Sequence, residues 1–200
     1  MAREGEHLLD SHLLVGPTGL RYRDEGPYDR DDRGALWARW GGRPTGRVRL
    51  ADAHGLRQRR ALRQLLCQGC KRPADRTGDG TLWLIEDDPG SWDDWPEQLL
   101  TMHPPTCMPC ATIADRACPH LSDTGSVLLY VKDSEAAGIR GHLYTPTVGG
   151  PPTRTYTPFV DYRDPRLPFT LAVHQVVALS GCTIVRRTPP RVPAHAERTP

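Results

Sequence analysis

The chain has 200 residues, enough for one domain or for one domain with a small module. Its hydrophobic fraction of 38% lies below the about 45–50% of ordinary globular chains, and 19 glycines with 20 prolines favour turns over long regular elements. A net charge of +2 excludes a generally basic coat for nucleic acid, and no apolar run approaches the roughly 18 residues of a membrane span.

Residues 1–34 are polar, with Gly-Pro at 16–17 and 26–27 and a charge run over 29–33. They read as a flexible or irregular N-terminal arm, with one or two helical turns at most over 7–14. Leu36-Trp37-Ala38-Arg39-Trp40 and Gly46-Arg47-Val48-Arg49-Leu50 alternate on either side of turn residues, which predicts a short hairpin. Trp37 and Trp40 cannot share a face of an ideal strand, so one of them packs elsewhere. Asp52 is placed to cap a helix over 53–66, with Leu62, Leu65 and Leu66 as its apolar seam and Arg57, Arg59, Arg60 and Arg63 opposite.

That helix delivers the chain into Cys67. After Cys70 a polar turn region over 71–80 leads to a buried strand at 82–85, an acidic loop over 86–97 holding Trp92 and Trp95, and a second strand at 99–102. Thr106 is a good N-cap for a helix over 107–117, ended by Cys118-Pro119-His120. Strands are expected at 127–131 and 139–144 with a turn between them. Pro/Gly-rich 146–158 follows, with 147–152 mobile, and 156–162 is an edge strand at best because of Pro158. Pro168 then starts an apolar helix over 169–179, closed by Gly181, before a last strand at 183–185. The Pro/Arg-rich segment 187–200 reads as a disordered tail.

The chemistry is concentrated in two cysteine pairs. Leu-Cys67-Gln-Gly-Cys70-Lys and Thr-Cys107-Met-Pro-Cys110-Ala each have the two-residue gap that lets both thiolates face one ion. Two such pairs in one domain point to a structural, tetrahedral four-thiolate zinc site with one Zn²⁺ per chain. The second pair opens a helix, where free N–H groups and the helix dipole stabilise thiolates. Four protein thiolates leave no position for water, so this zinc is structural. His103, Cys118 and His120 are alternative metal ligands. His103 lies four residues before Cys107. Cys118 lies eight beyond Cys110, roughly 12 Å along a helix, and reads better as a buried structural thiol. His120 reads as a cap at the helix C-terminus.

Knuckle, hairpin, then helix with its own cysteine pair resembles a treble-clef zinc finger over about a quarter of the chain. The resemblance implies a hairpin over 82–102 between the ligand pairs. The whole chain also resembles uncharacterised actinobacterial proteins with an Arg-rich helix, Leu-Cys-Gln-x-Cys and a later Cys-x-Pro-Cys followed by Cys-Pro-His. The expected architecture is α+β: an arm at 1–34, a zinc-stapled domain over 35–186 with its zinc core at about 62–120 and a C-terminal apolar helix, and the tail at 187–200.

For function, a binding or regulatory module is weighed against an enzyme. Arg57, Arg59, Arg60, Arg63, Lys71 and Arg72 form a basic cluster around the first knuckle, suited to nucleic-acid phosphates or an acidic partner. The competing account pairs them with the acidic loop 86–97. Pro-rich segments favour contact with a protein partner. The alternative is a divergent treble-clef nuclease of the HNH or endonuclease VII type, but the hairpin lacks a paired histidine and no hydrolase or nucleotide motif appears. The expectation is a cytoplasmic protein, because the N-terminus has no apolar signal region and paired CxxC motifs suit a reducing compartment.

Overall fold

The computed structural model describes residues 1–9, 12–49, 53–147 and 149–191. Asp52, Leu50, Val148 and residues 192–200 lie outside the described residues, and with them the expected helix cap and most of the expected tail. The chain is mixed α+β, mostly strand with a few short helices. It divides into two compact units, Met1–Arg59 with Ala136–Val177, and Arg60–Glu135 with the described part of 178–200. No helix among the described residues is long and apolar enough to cross a membrane.

In the first unit, the segment expected to be an irregular arm is built of short strands. Strand β1 (Ala2–Arg3) pairs with β7 (Val48–Arg49), β2 (His7–Leu9) with β6 (Arg39–Gly41), and β3 (Leu13–Gly16) with β4 (Gly19–Tyr22), all antiparallel. The expected hairpin of 36–40 with 46–50 does not form, since β6 and β7 take those N-terminal partners. Its first residues become β5 (Leu36–Trp37), parallel to β13 (Thr170–Thr188). Side-chain partners distant in sequence order the polar lead-in. The Asp31 carboxylate accepts from Trp37 Nε1 at 3.0 Å and the Tyr162 hydroxyl at 3.3 Å, while Arg39 bridges Asp24 and Asp29 at 2.9 and 2.6 Å. Gly19 closes the β3–β4 turn at φ +136°, with an added Cβ only 2.5 Å from the Pro168 carbonyl oxygen.

The largest correction concerns residues 169–179. They are not a helix; they form the first half of β13 after a 3-10 turn, Leu167–Phe169. The reason is burial on both faces. Leu171 and Val173 pack with Leu20, Tyr22, Leu36, Ala38 and Tyr144, whereas Ala172 packs with Ala35, Trp37, Ile139, Val160 and Leu167. A strand covered on both sides reads as a continuous apolar run, which periodicity cannot tell from a buried helix. The same two clusters separate the tryptophans, with Trp37 in one and Trp40 against the other.

Residues 126–145 form one strand, β11 (Ser126–Thr145), rather than two joined by a turn. Its later part pairs with β12 (Thr153–Asp161), and Pro158 falls in the slip of register between Ile139↔Val160 and Gly141↔Thr157. A proline is tolerated there because a bulge needs no ladder N–H from it.

In the second unit the strand order is β10-β13-β11-β9-β8, with β8 (Arg76–Thr77), β9 (Gly80–Glu86) and β10 (Leu99–Thr101). The hairpin between the cysteine pairs is therefore β8–β9, and the expected pairing across 82–102 is absent: two strands stand between β9 and β10. Helix α1 (Gly55–Arg63) enters the knuckle and α2 (Met108–Ala117) leaves it. Ala111 of α2 is fully buried against Leu82, Leu84 and Leu128, and Trp83 is 1% exposed on the opposite side of β9. After Cys118 the chain enters α3 (Pro119–Thr124). Residues 186–191 are held rather than loose. Arg186 and Thr188 reach the Asp115 carboxylate, and the Arg191 guanidinium donates to the Asp115 and Arg116 carbonyls at 2.7 and 2.9 Å.

Candidate metal centre

Backbone hydrogen bonds close the first knuckle. The Leu66 N–H donates to Ala61 O at 2.8 Å, ending the helical run, while Cys67 N–H donates to Arg72 O at 2.7 Å and Lys71 N–H to Cys67 O at 2.9 Å. This tight return places two non-glycine residues, Leu65 at φ 50° and Lys71 at φ 66°, in the left-handed region. Two further bonds, Gln68 N–H to Pro105 O and Asp75 N–H to Thr106 O at 2.9 and 3.2 Å, stitch this segment to the approach of the second pair, and Thr106 N–H to Leu82 O at 2.8 Å ties that approach to β9.

The second pair opens α2. Cys107, rather than Thr106, is the N-cap residue and makes no side-chain cap. That role passes to Asp75, whose carboxylate accepts the Met108 N–H at 2.7 Å. Thr106 instead turns its hydroxyl toward the cluster, 3.7 Å from Cys67 Sγ.

The four sulfurs of Cys67, Cys70, Cys107 and Cys110 lie within 4.8 Å of one another. Cys70 Sγ and Cys107 Sγ are 3.8 Å apart, too far for a disulfide. A tetrahedron with metal–sulfur bonds of about 2.3 Å has edges of about 3.8 Å, so the separation fits one shared ion. Cys67 is 0% and Cys107 7% exposed, with Cys70 and Cys110 half-buried.

The electrostatics divide the set. The backbone N–H and then the guanidinium of Arg72 pull the Cys70 thiol down to about 6. Burial raises Cys67, but N–H groups of the knuckle and the Thr106 hydroxyl outweigh it and hold it below its ordinary value. Burial and the neighbouring thiols push Cys110 up to about 12, and burial raises Cys107. Ionising all four sulfurs therefore needs a compensating cation, and an all-thiolate donor set selects a soft one such as zinc.

Gly69 is the residue that lets the sulfurs approach. A Cβ there would lie 2.8 Å from Cys110 Sγ and 3.0 Å from its Cβ. Gly69→Ala is expected to weaken metal affinity by about tenfold or more through this clash while leaving all four ligands in place. Competition with a chelator of known affinity measures it, and unchanged affinity would refute the close-packed arrangement.

The alternative ligands stand outside the cluster. The His103 carbonyl accepts the Trp83 indole N–H at 3.0 Å, Cys118 is the N-cap residue of α3, and His120 Nε2 meets Glu86 at 2.9 Å instead of capping α2. The basic set is dispersed by role. Arg57 binds the Glu6 carboxylate at 2.5 and 2.9 Å, and the Arg59 guanidinium lies 4.3 Å over the Trp37 ring. Arg60 donates to Gln64, Lys71 folds back on the Gln68 carbonyl, Arg72 serves Cys70, and Arg63 is exposed. Glu86, Asp87, Asp88 and Glu97 of the acidic loop have partners within their own unit. Asp87 pairs with Arg187 at 2.8 Å, and Glu97 accepts the Gly181 and Cys182 N–H groups at 2.9 and 2.6 Å. Trp95 is buried beneath Arg187, and Trp92 donates to the Glu97 carbonyl.

Sequence reasoning missed Asp75 and Gly69, and gave Thr106 the role of helix cap in place of its contact with Cys67. Gly69 carries a local signal, a glycine inside the knuckle. Asp75 has none, because the N–H it caps is 33 residues away. Comparison of the chain with protein-family models, with curated proteins and with solved structures returned no match.

Proposed function

We propose that Cys67, Cys70, Cys107 and Cys110 bind one structural Zn²⁺ in a treble-clef-like arrangement, and that the chain acts as a binding or regulatory module. The observation that carries this reading is the convergence of four sulfurs within 4.8 Å, with one edge at 3.8 Å. The order knuckle, β8–β9 hairpin, then α2 supports the treble-clef assignment. Zinc would supply folding energy and hold the N-terminus of α2 against the knuckle. It would leave no open coordination position for a substrate.

In this reading Arg72 offsets part of the two negative charges of a four-thiolate zinc, while Lys71 is held by the Gln68 carbonyl. Arg60 and Arg63 are then the members of the basic cluster left to meet an acidic protein or nucleic acid. The nuclease alternative draws no support from the geometry. Asp115 is taken up by Ser126, Arg186 and Thr188, and the four cysteines are the one His/Cys/Asp/Glu group with metal-binding spacing among the described residues.

Elemental analysis of protein purified without chelator tests the proposal, with one zinc per chain as the expected result. Replacement by Co²⁺ should give the visible bands of a tetrahedral thiolate site. Metal-free protein that is folded and binds neither ion would overturn it.

A further inference from the structure

We propose that the cavity beside β4 in the first unit binds a phosphate-bearing ligand, held by Arg21 and Arg23. The cavity has a volume of about 540 Å³ and includes Thr18, Arg21, Arg23, Glu25, Arg30 and Pro168 in its lining. That volume falls within the roughly 300–1,000 Å³ of small-ligand clefts. The site is separate from the cysteine cluster and does not depend on the zinc assignment.

Strand alternation builds it. Leu20 and Tyr22 point into the core at 2% and 1% exposure, which leaves Arg21 on the outer face of β4, and Arg23 follows in the turn directly after the strand, both side chains exposed. The charges behind them are already settled. Arg30 Nε donates to Glu25 at 2.7 Å, and its terminal nitrogens donate to the Leu20 and Gly34 carbonyls at 2.6 and 3.0 Å. Glu25 also accepts the Tyr22 N–H at 3.2 Å. The one carboxylate of the lining is thus neutralised in place, and Arg30 becomes a fixed wall. No hydrogen bond or ion pair among the described residues engages the guanidinium of Arg21 or Arg23, so the cavity presents two free positive charges.

Arg23 lies two residues beyond Arg21, with its N–H still bonded to the His12 carbonyl at 2.9 Å, so the two residues are within about 7 Å along the backbone and their planar forks can converge on one dianionic phosphate or hold a diphosphate between them. A monocarboxylate would leave one guanidinium uncompensated. The phosphate could belong to a small metabolite or to a nucleic-acid strand, because the chemistry that recognises it is the same.

Calorimetric titration of the full chain with pyrophosphate at low ionic strength tests the site, with a short oligonucleotide and succinate as parallel arms. Pyrophosphate is expected to bind, more weakly as salt rises. Arg21→Gln and Arg23→Gln should each cost about tenfold in affinity and together abolish measurable binding, with circular dichroism and zinc content unchanged. Arg47→Gln, an exposed arginine outside the cavity, should have no effect. Oligonucleotide binding that needs the same two arginines, without pyrophosphate binding, supports the site and assigns its phosphate to a polymer. Absence of binding in both phosphate arms, wild-type affinity in the double variant, or equal affinity for succinate would overturn the proposal.

Discussion

Cys107→Ser is expected to abolish zinc binding and to unfold the unit built on Arg60–Glu135. Zinc in structural sites contributes an apparent stabilisation of about 10–16 kcal/mol at neutral pH, while a whole domain is stable by only about 5–15 kcal/mol. Losing most of the metal term is comparable to the whole stability of a domain, and the apolar cluster that holds α2 is small, with Leu82, Leu84, Ala111 and Leu128 at its centre. Cys107 also starts α2, so its loss frees the helix as well as one ligand. Cys118→Ser is the matched control. Cys118 stands outside the cluster at the N-cap of α3, where serine is the better capping residue. It should keep full metal content and stay within about 0.5 kcal/mol of the parent. Metal content by elemental analysis and thermal unfolding of both variants decide the matter. Equal zinc in Cys107→Ser and the parent would remove the four-cysteine site.

The second large effect is expected in the first unit, which has no part in the metal site. Glu6 has a side chain only 5% exposed and binds Arg57, with His54 Nε2 at 3.7 Å and His54 stacked on Trp40 at a ring separation of 4.0 Å. The hydrogen-bonded Arg57 guanidinium holds the Glu6 carboxyl down to about 2. Burial, and then the Arg57 charge, push His54 below its ordinary value.

Both groups bind protons less readily when folded than when unfolded, so the unfolded chain takes up more protons as the pH falls and acid destabilises this unit. The His54 contribution is complete above its unfolded value of 6.5 and is lost below it. The Glu6 contribution is complete above 4.5 and is lost toward 2. Glu6→Gln should therefore flatten the stability profile across that lower window. Removing one member of a buried ion pair costs about 3–5 kcal/mol. Arg57 is 37% exposed and can recover water, so about 2–3 kcal/mol is expected at neutral pH. Denaturant unfolding of both proteins between pH 3 and 8 measures this. An unchanged acid limb in Glu6→Gln would show that the network does not govern acid stability.

The four-cysteine cluster was largely legible in the residues because its information is local. A two-residue gap fixes where two sulfurs point, a glycine between them makes room, and a helix opening at the second pair presents N–H groups. What the local pattern lacked was the shell around the ligands. Asp75 caps α2 and Thr106 faces Cys67 through contacts that cross 33 and 39 residues; nothing local marks Asp75, and the position of Thr106 before Cys107 suggests a cap rather than this contact. The Arg-rich helix shows the limit from the other side. Its spacing displays one basic face, yet Arg57 is committed to Glu6 and Arg59 to Trp37, and only the folded chain brings those partners near.

By itself the sequence determined that this protein carries four convergent thiols, that α2 begins where the second pair stands, and that strands run at 82–85 and 127–131. Each follows from short-range geometry. The tertiary structure decided which strands pair, that 169–179 is strand rather than helix, and that the polar first 34 residues belong to a packed unit. Those outcomes depend on burial. An apolar run becomes strand when both of its faces are covered, and a polar segment becomes ordered when acids such as the buried Glu6 and the half-buried Asp31 find their donors elsewhere in the chain.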